Sequence, residues 1–122
     1  QKPDEFAALN NLASVYTQSG DLTNAAENAK RVIEIAPDSP YALDTYGYVL
    51  LKQGKIEEGK AFVERALGKA PNNKEIQLHN VEALLLNGDL TQAKSMLSRI
   101  RPVTPLQQSL HKELKSRLDA QN

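Results

Sequence analysis

Residues 37–71 read PDSPYALDTYGYVLLKQGKIEEGKAFVERALGKAP, and the spacing within this stretch decides the fold. It opens and closes on prolines, Pro37 and Pro71, which stand 34 residues apart, and Pro3 lies the same distance upstream. Gly54 sits midway, and Gly20 and Gly88 flank it at the same interval of 34. Further columns keep the register: Leu22, Ile56 and Leu90; Ala25, Gly59 and Ala93; Tyr16, Leu50 and Leu84. Five columns in one phase define a repeat, and a period of this length means stacked supersecondary units.

Each period reads as two amphipathic helices. Leu43, Tyr46, Gly47 and Leu50 keep the spacing of one helical face, as do Leu9, Leu12, Ala13 and Tyr16 one period earlier. The first helix stops at glycine, the residue that suits the left-handed position past a helix end, and Asp21 is placed to cap the next helix. Ile56, Gly59, Val63, Ala66 and Leu67 form the second stripe, matched by Leu22, Ala25, Ala29, Val32 and Ile33. Proline then ends the pair, because it lacks a donor and restricts the residue before it. Ser39-Pro40 restarts the cycle with a cap and a first-turn proline. Gly47 and Gly59 fill the two small-residue columns, which predicts the tightest helix crossing in the middle repeat.

The third period departs from this pattern. Gln77, Asn80 and Val81 stand where the others have Leu43, Tyr46 and Gly47, and Leu78, Val81 and Leu85 predict an apolar face rotated by one residue. Its second helix is expected to end early, at Ile100-Arg101-Pro102. Thr104-Pro105-Leu106-Gln107 then reads as a new helix start, with Leu106, Leu110, Leu114 and Leu118 as an apolar stripe and Lys112, Glu113, Lys115 and Arg117 opposite it. Such a helix caps the last repeat, as a stacked array requires. The expected division is an N-terminal edge over 1–5, repeats over 6–39, 40–73 and 74–103, and a capping helix over 104–122. The other end is expected to be uncapped, a cut from a longer array with repeats upstream.

Composition excludes several function classes. Fifteen Lys and Arg balance fifteen Asp and Glu, which argues against a nucleic-acid binder. That zero is a split: residues 1–89 carry nine basic and thirteen acidic side chains, −4, and the remainder six and two, +4. No apolar run approaches the ~20 residues of a membrane span, Gln1-Lys2-Pro3-Asp4 is not expected to open a signal peptide, and there is no cysteine for a disulfide or thiolate. The three column glycines, Gly20, Gly54 and Gly88, stand singly at helix ends rather than in a phosphate-binding loop. Glu75, His79 and Glu82 share a helical face, but no second helix offers the ligands a metal site recruits, so they are read as surface polarity. No enzyme, cofactor or metal is expected.

These residues resemble the tetratricopeptide repeat family. Leu9, Leu12, Ala13, Tyr16, Gly20, Ala25, Val32 and Pro37 fall where that family has its large, small and helix-ending residues, over roughly residues 3 to 101. The resemblance implies an all-α fold, a right-handed superhelix of three helix-turn-helix repeats plus the capping helix, whose first helices line a concave groove. It implies a non-catalytic scaffold that holds a protein, a peptide or a partner helix there. The groove residues so implied are Asn10, Ser14, Tyr41, Asp44, Thr45, Tyr48, Lys52, Leu78, His79 and Glu82, with Tyr41 and Tyr48 alternatively packed at repeat junctions. Family members that hold chaperone tails use Lys, Asn and Arg where this chain has Asn10, Ser14, Thr45, Glu75 and His79, so an anionic tail is a poor fit. The stretch Tyr46–Lys55 with Ala70-Pro71-Asn72-Asn73 also resembles bacterial tetratricopeptide lipoproteins of exopolysaccharide export and protein sorting. That resemblance implies a periplasmic or envelope setting, contact with the membrane only through a parent protein, and, as the alternative function, self-assembly through the uncapped N-terminal end.

Overall fold

The structure, a computed structural model, describes residues 3–121; Gln1, Lys2 and Asn122, at the outer ends of the N-terminal edge and the cap, lie outside the described residues. Among the described residues seven helices follow one another: α1 (Pro3–Ser19), α2 (Leu22–Ile35), α3 (Pro40–Lys52), α4 (Ile56–Lys69), α5 (Lys74–Leu86), α6 (Leu90–Ser98) and α7 (Pro105–Asp119). Among the described residues there is no strand, and the helices stack as a right-handed superhelix.

The three column glycines turn the chain in the same way. Gly20, Gly54 and Gly88 have φ of 86°, 86° and 84°, a region that a side chain disfavours. The residue after each donates to a carbonyl one turn back: Asp21 to Tyr16, Lys55 to Leu50 and Asp89 to Leu84, at 2.9, 2.9 and 2.8 Å. Asp21, Ser39, Asn73 and Thr104 accept from the amides of the helices they precede, and Thr104 with Gln107 completes a reciprocal capping box. The sequence thereby dictates where each helix starts and reverses. α6 is short, only 9 residues, as the early Pro102 requires.

Among the described residues, contacts between helices run only one or two steps along the chain, so the core is a row of clusters rather than one centre. Val49 of α3 packs with Ala13, Ala25 and Ala29, and Ile76 and Ala83 of α5 pack with Leu43, Val63 and Ala66. Each repeat thus completes the core of the one before it. The last cluster joins Leu78, Val81 and Leu85 to Leu97, Ile100, Leu114 and Leu118. The expected one-residue rotation of the apolar face of α5 is not what occurs. The helix is sandwiched between α3–α4 and α6–α7, so it buries Ile76, Leu78 and every residue from Asn80 to Leu85.

At the crossing of α3 and α4, a methyl built on Gly47 would stand 2.9 Å from Phe62 Cβ and 3.0 Å from the Gly59 carbonyl oxygen. A methyl on Gly59 would stand 2.8 Å from the Gly47 oxygen. Gly68, later in α4, faces open space. Alanine at Gly68 should therefore stabilise the chain by about 0.5–1 kcal/mol through helix propensity. Gly47→Ala and Gly59→Ala should each destabilise it by about 1–3 kcal/mol, because two backbones in contact cannot relax around a methyl. Thermal melts followed by circular dichroism separate these signs; a rise in all three variants would remove the close-approach explanation.

Candidate partner-binding groove

The first helices α1, α3 and α5 lie side by side, and α7 joins the row against α5. Together they wall a concave groove of about 740 Å³. Nine of the ten residues expected there line it: Asn10, Ser14, Tyr41, Asp44, Thr45, Tyr48, Lys52, Leu78 and His79. Glu82 does not, being only 1% exposed behind the wall. Leu78 also offers a ligand nothing, because its side chain is fully buried in the last core cluster.

Much of the polar wall is bonded across the repeats in a regular way. Thr45 Oγ1 donates to Asn10 Oδ1 at 2.7 Å, and His79 Nδ1 lies 2.8 Å from both carboxylate oxygens of Asp44. Asn10 and Asp44 occupy one column of the repeat, and Thr45 and His79 occupy the next, so the same two columns pair at both junctions. Each bond spans 35 residues, one period plus one, which is the offset between neighbouring first helices. At the third position the accepting column holds Leu78, and the ladder gives way to apolar packing.

A second cluster ties three elements together. Tyr48 Oη donates to Glu82 Oε1 at 2.8 Å, Lys52 Nζ donates to Oε2 at 2.6 Å, and Arg117 of α7 reaches the same oxygen at 3.5 Å. Arg117 is thus not on a solvated outer face, as its place opposite the leucine stripe suggests; it turns inward to the buried carboxylate. Isolating a carboxylate from water costs several kcal/mol, and these donors offset that cost. The Tyr48 ring also stacks on His79 with centroids 3.7 Å apart. Tyr48 therefore packs at a repeat junction, whereas Tyr41 is 54% exposed at the groove.

The charge states follow from these contacts. Burial pushes His79 toward its neutral form, but the Asp44 carboxylate, with Glu82 and Glu75 nearby, more than reverses this, and its pKa stands above the ordinary value. Burial likewise works against an ionised Glu82, and Lys52, Tyr48 and Arg117 overcome it, holding the carboxyl below its usual range. Burial, then the Glu82 charge, raises Tyr48 so that it remains a donor. Of Glu75, His79 and Glu82, His79 is committed to Asp44 and Glu82 to Tyr48, Lys52 and Arg117, while Glu75 alone stays exposed as surface polarity. Among the described residues no cluster of three His, Cys, Asp or Glu is placed to hold a metal, and no helix is long and apolar enough to cross a membrane.

Sequence reasoning missed the fourth wall. Leu106, Gln107, Leu110 and Glu113 of α7 line the groove, and Leu106 is 54% exposed. The signal was in the leucine spacing. A step of four residues advances about 40° around a helix, so three steps turn the stripe through about 120°. Leu114 and Leu118 stay in the core while Leu106 swings out into the groove.

Comparison with known proteins agrees with this architecture. Tetratricopeptide repeat models match residues 50–118 and 6–39. The TPR repeat-containing protein PA4667 of Pseudomonas aeruginosa is 29% identical over 77 residues, 61% of this chain, and the match spans only 13% of that longer relative. The TPR2B domain of yeast Sti1, solved in complex with pHsp70, superposes with a TM-score of 0.73 at 16% identity, covering 97% of this chain and 98% of that one. The Yersinia enterocolitica type III secretion chaperone SycD, solved with a peptide of the translocator YopD, superposes with a TM-score of 0.72 at 20% identity, covering 98% and 93%. At these identities the structural likeness establishes the fold.

The ladder has a measurable pH signature. A raised histidine pKa stabilises the fold fully below the ordinary 6.5 and loses that contribution as pH rises through the folded value. A lowered glutamate pKa acts above the ordinary 4.5 and loses its contribution as pH falls through the folded value. The melting temperature should therefore fall on both sides of a mildly acidic optimum. In His79→Gln the fall on raising pH above about 6.5 should disappear, and a slope matching the parent's would show that the Asp44 pair does not hold the proton.

Proposed function

This chain belongs to the tetratricopeptide repeat family, and we propose that it is a non-catalytic scaffold holding a protein segment in the groove walled by α1, α3, α5 and α7. The observation that carries this reading is the groove's division of labour. Its buried polar groups are committed to one another, while Tyr41 and Leu106, two large apolar side chains each 54% exposed, are presented to whatever enters. Exposed aromatic and aliphatic anchors in a concave site are what a peptide or partner helix buries. The titratable groups with displaced pKa values face each other, which supports binding over turnover. Complexes of similar folds, TPR2B with pHsp70 and SycD with a YopD peptide, lend the reading further support.

Tyr41→Ala combined with Leu106→Ala tests it, since both side chains are exposed and their loss leaves the ladder intact. Retrieval of partners from the native cell should fall about tenfold or more for the double variant. It should hold for Glu57→Ala, an exposed α4 residue absent from the groove. Equal recovery by all three proteins would remove the groove from the function.

A second reading rests on a different surface. Leu12 and Val15 of α1 are 44% and 59% exposed, yet the column equivalents of Val15, Val49 and Ala83, are buried against the preceding second helix. We propose, as the alternative, that this face is a self-assembly surface, of the kind an envelope or exopolysaccharide export complex would use. Sedimentation should then show concentration-dependent association that Val15→Lys abolishes; a monomer at all concentrations would exclude it.

A further inference from the structure

The charges left over in the groove identify the chemistry of its ligand. Three carboxylates line it, Asp44, Glu75 and Glu113, against one ammonium, Lys52. Lys52 is neutralised from behind, 2.6 Å from the buried Glu82. Asp44 is likewise occupied, by His79. Glu75 is exposed, and its carboxylate has no hydrogen bond or ion pair among the described residues. Glu113 is exposed and shares Arg117, at 3.2 Å, with Glu82. The charges of both carboxylates are felt at the stacked Tyr48–His79 pair, that of Glu113 at the tyrosine and that of Glu75 at the histidine. Among the described residues that line the groove, no uncommitted cation opposes them.

Resting on the groove reading above, we propose that the partner is a peptide segment carrying basic and apolar residues together. Its ammonium or guanidinium groups meet Glu75 and Glu113, and its apolar side chains lie over Tyr41 and Leu106. Charge complementarity makes this choice. A segment rich in carboxylates would meet the unpaired Glu75 and a Glu113 whose one partner, Arg117, is shared with the buried Glu82; like charges across an interface cost affinity and slow association. A wholly apolar segment would leave Glu75 and Glu113 desolvated beneath it. A basic and apolar segment satisfies both walls at once.

The test uses fluorescence anisotropy with three labelled peptides of equal length: one alternating lysine and leucine, one with glutamate in place of lysine, and one with serine in place of leucine. The lysine–leucine peptide should bind the parent chain about tenfold or more tighter than either of the others. Salt at about 0.5 M should erase most of that preference. Glu75→Lys with Glu113→Lys should reverse the order of the lysine and glutamate peptides, and both sites are exposed, so the fold tolerates the change. Tyr41→Ser with Leu106→Ser should weaken the lysine–leucine peptide about tenfold. Tighter binding of the glutamate peptide, lost in Tyr41→Ser with Leu106→Ser, would overturn the basic ligand while leaving the groove in place. Lysine–leucine binding that no groove variant alters would overturn the groove itself. Failure of every peptide to bind, or equal binding of all three, would overturn the proposal.

Discussion

One offset organises this molecule: each first helix bonds to the next across one period plus one residue. Asn10 with Thr45 and Asp44 with His79 are the same contact made twice, at 2.7 and 2.8 Å. A superhelix needs its repeats held at a fixed lateral displacement, and apolar side chains alone tolerate slippage. Directional bonds between buried or half-buried partners penalise any other register, since a slip would leave buried polar groups unsatisfied. The concave face is set by this ladder, and the ladder consumes the residues that a simple projection would offer to a ligand.

Stability in such a stack is a sum over neighbours rather than the property of one core. That places unusual weight on α5, which completes the cluster of α3 and α4 with Ile76 and Ala83 and the cluster of α6 and α7 with Leu78, Val81 and Leu85. Glu82 on the same helix receives Tyr48 and Lys52 from α3 and Arg117 from α7. The capping helix is thus more than a lid over the last apolar surface. It closes an ionic cluster and supplies a wall of the groove.

The fold was largely legible in the sequence because it is written in backbone chemistry. Glycine must stand where φ is near +86°, and proline marks where a helix cannot continue. The close crossing at Gly47 and Gly59 was legible for the same reason: only the absence of a side chain permits it. The site was less so. Projection places Asp44 and His79 on the right wall but Glu82 too, which lies buried behind it, because periodicity says nothing of whether a polar side chain faces a ligand or a neighbour 34 residues away. Leu106 and Arg117 depart from the flat stripe that the leucine spacing suggests, because a four-residue spacing winds around the helix. The departures of the third repeat were visible as departures; their meaning, a helix buried on two sides, required knowing what packs against it.

The ladder being internal, the surface we propose for a partner centres on Tyr41, Leu106, Glu75 and Glu113, contributed by α3, α7 and α5. That division, between polar groups that build the groove and exposed groups that use it, is the centre of the account. It is tested most directly by mapping amide chemical shifts while the lysine–leucine peptide is titrated in. The account predicts that the largest changes fall around Tyr41, Glu75, Leu106 and Glu113, with α2, α4 and α6 silent. Largest changes on those second helices, or at Leu12 and Val15 on the N-terminal face, would contradict it.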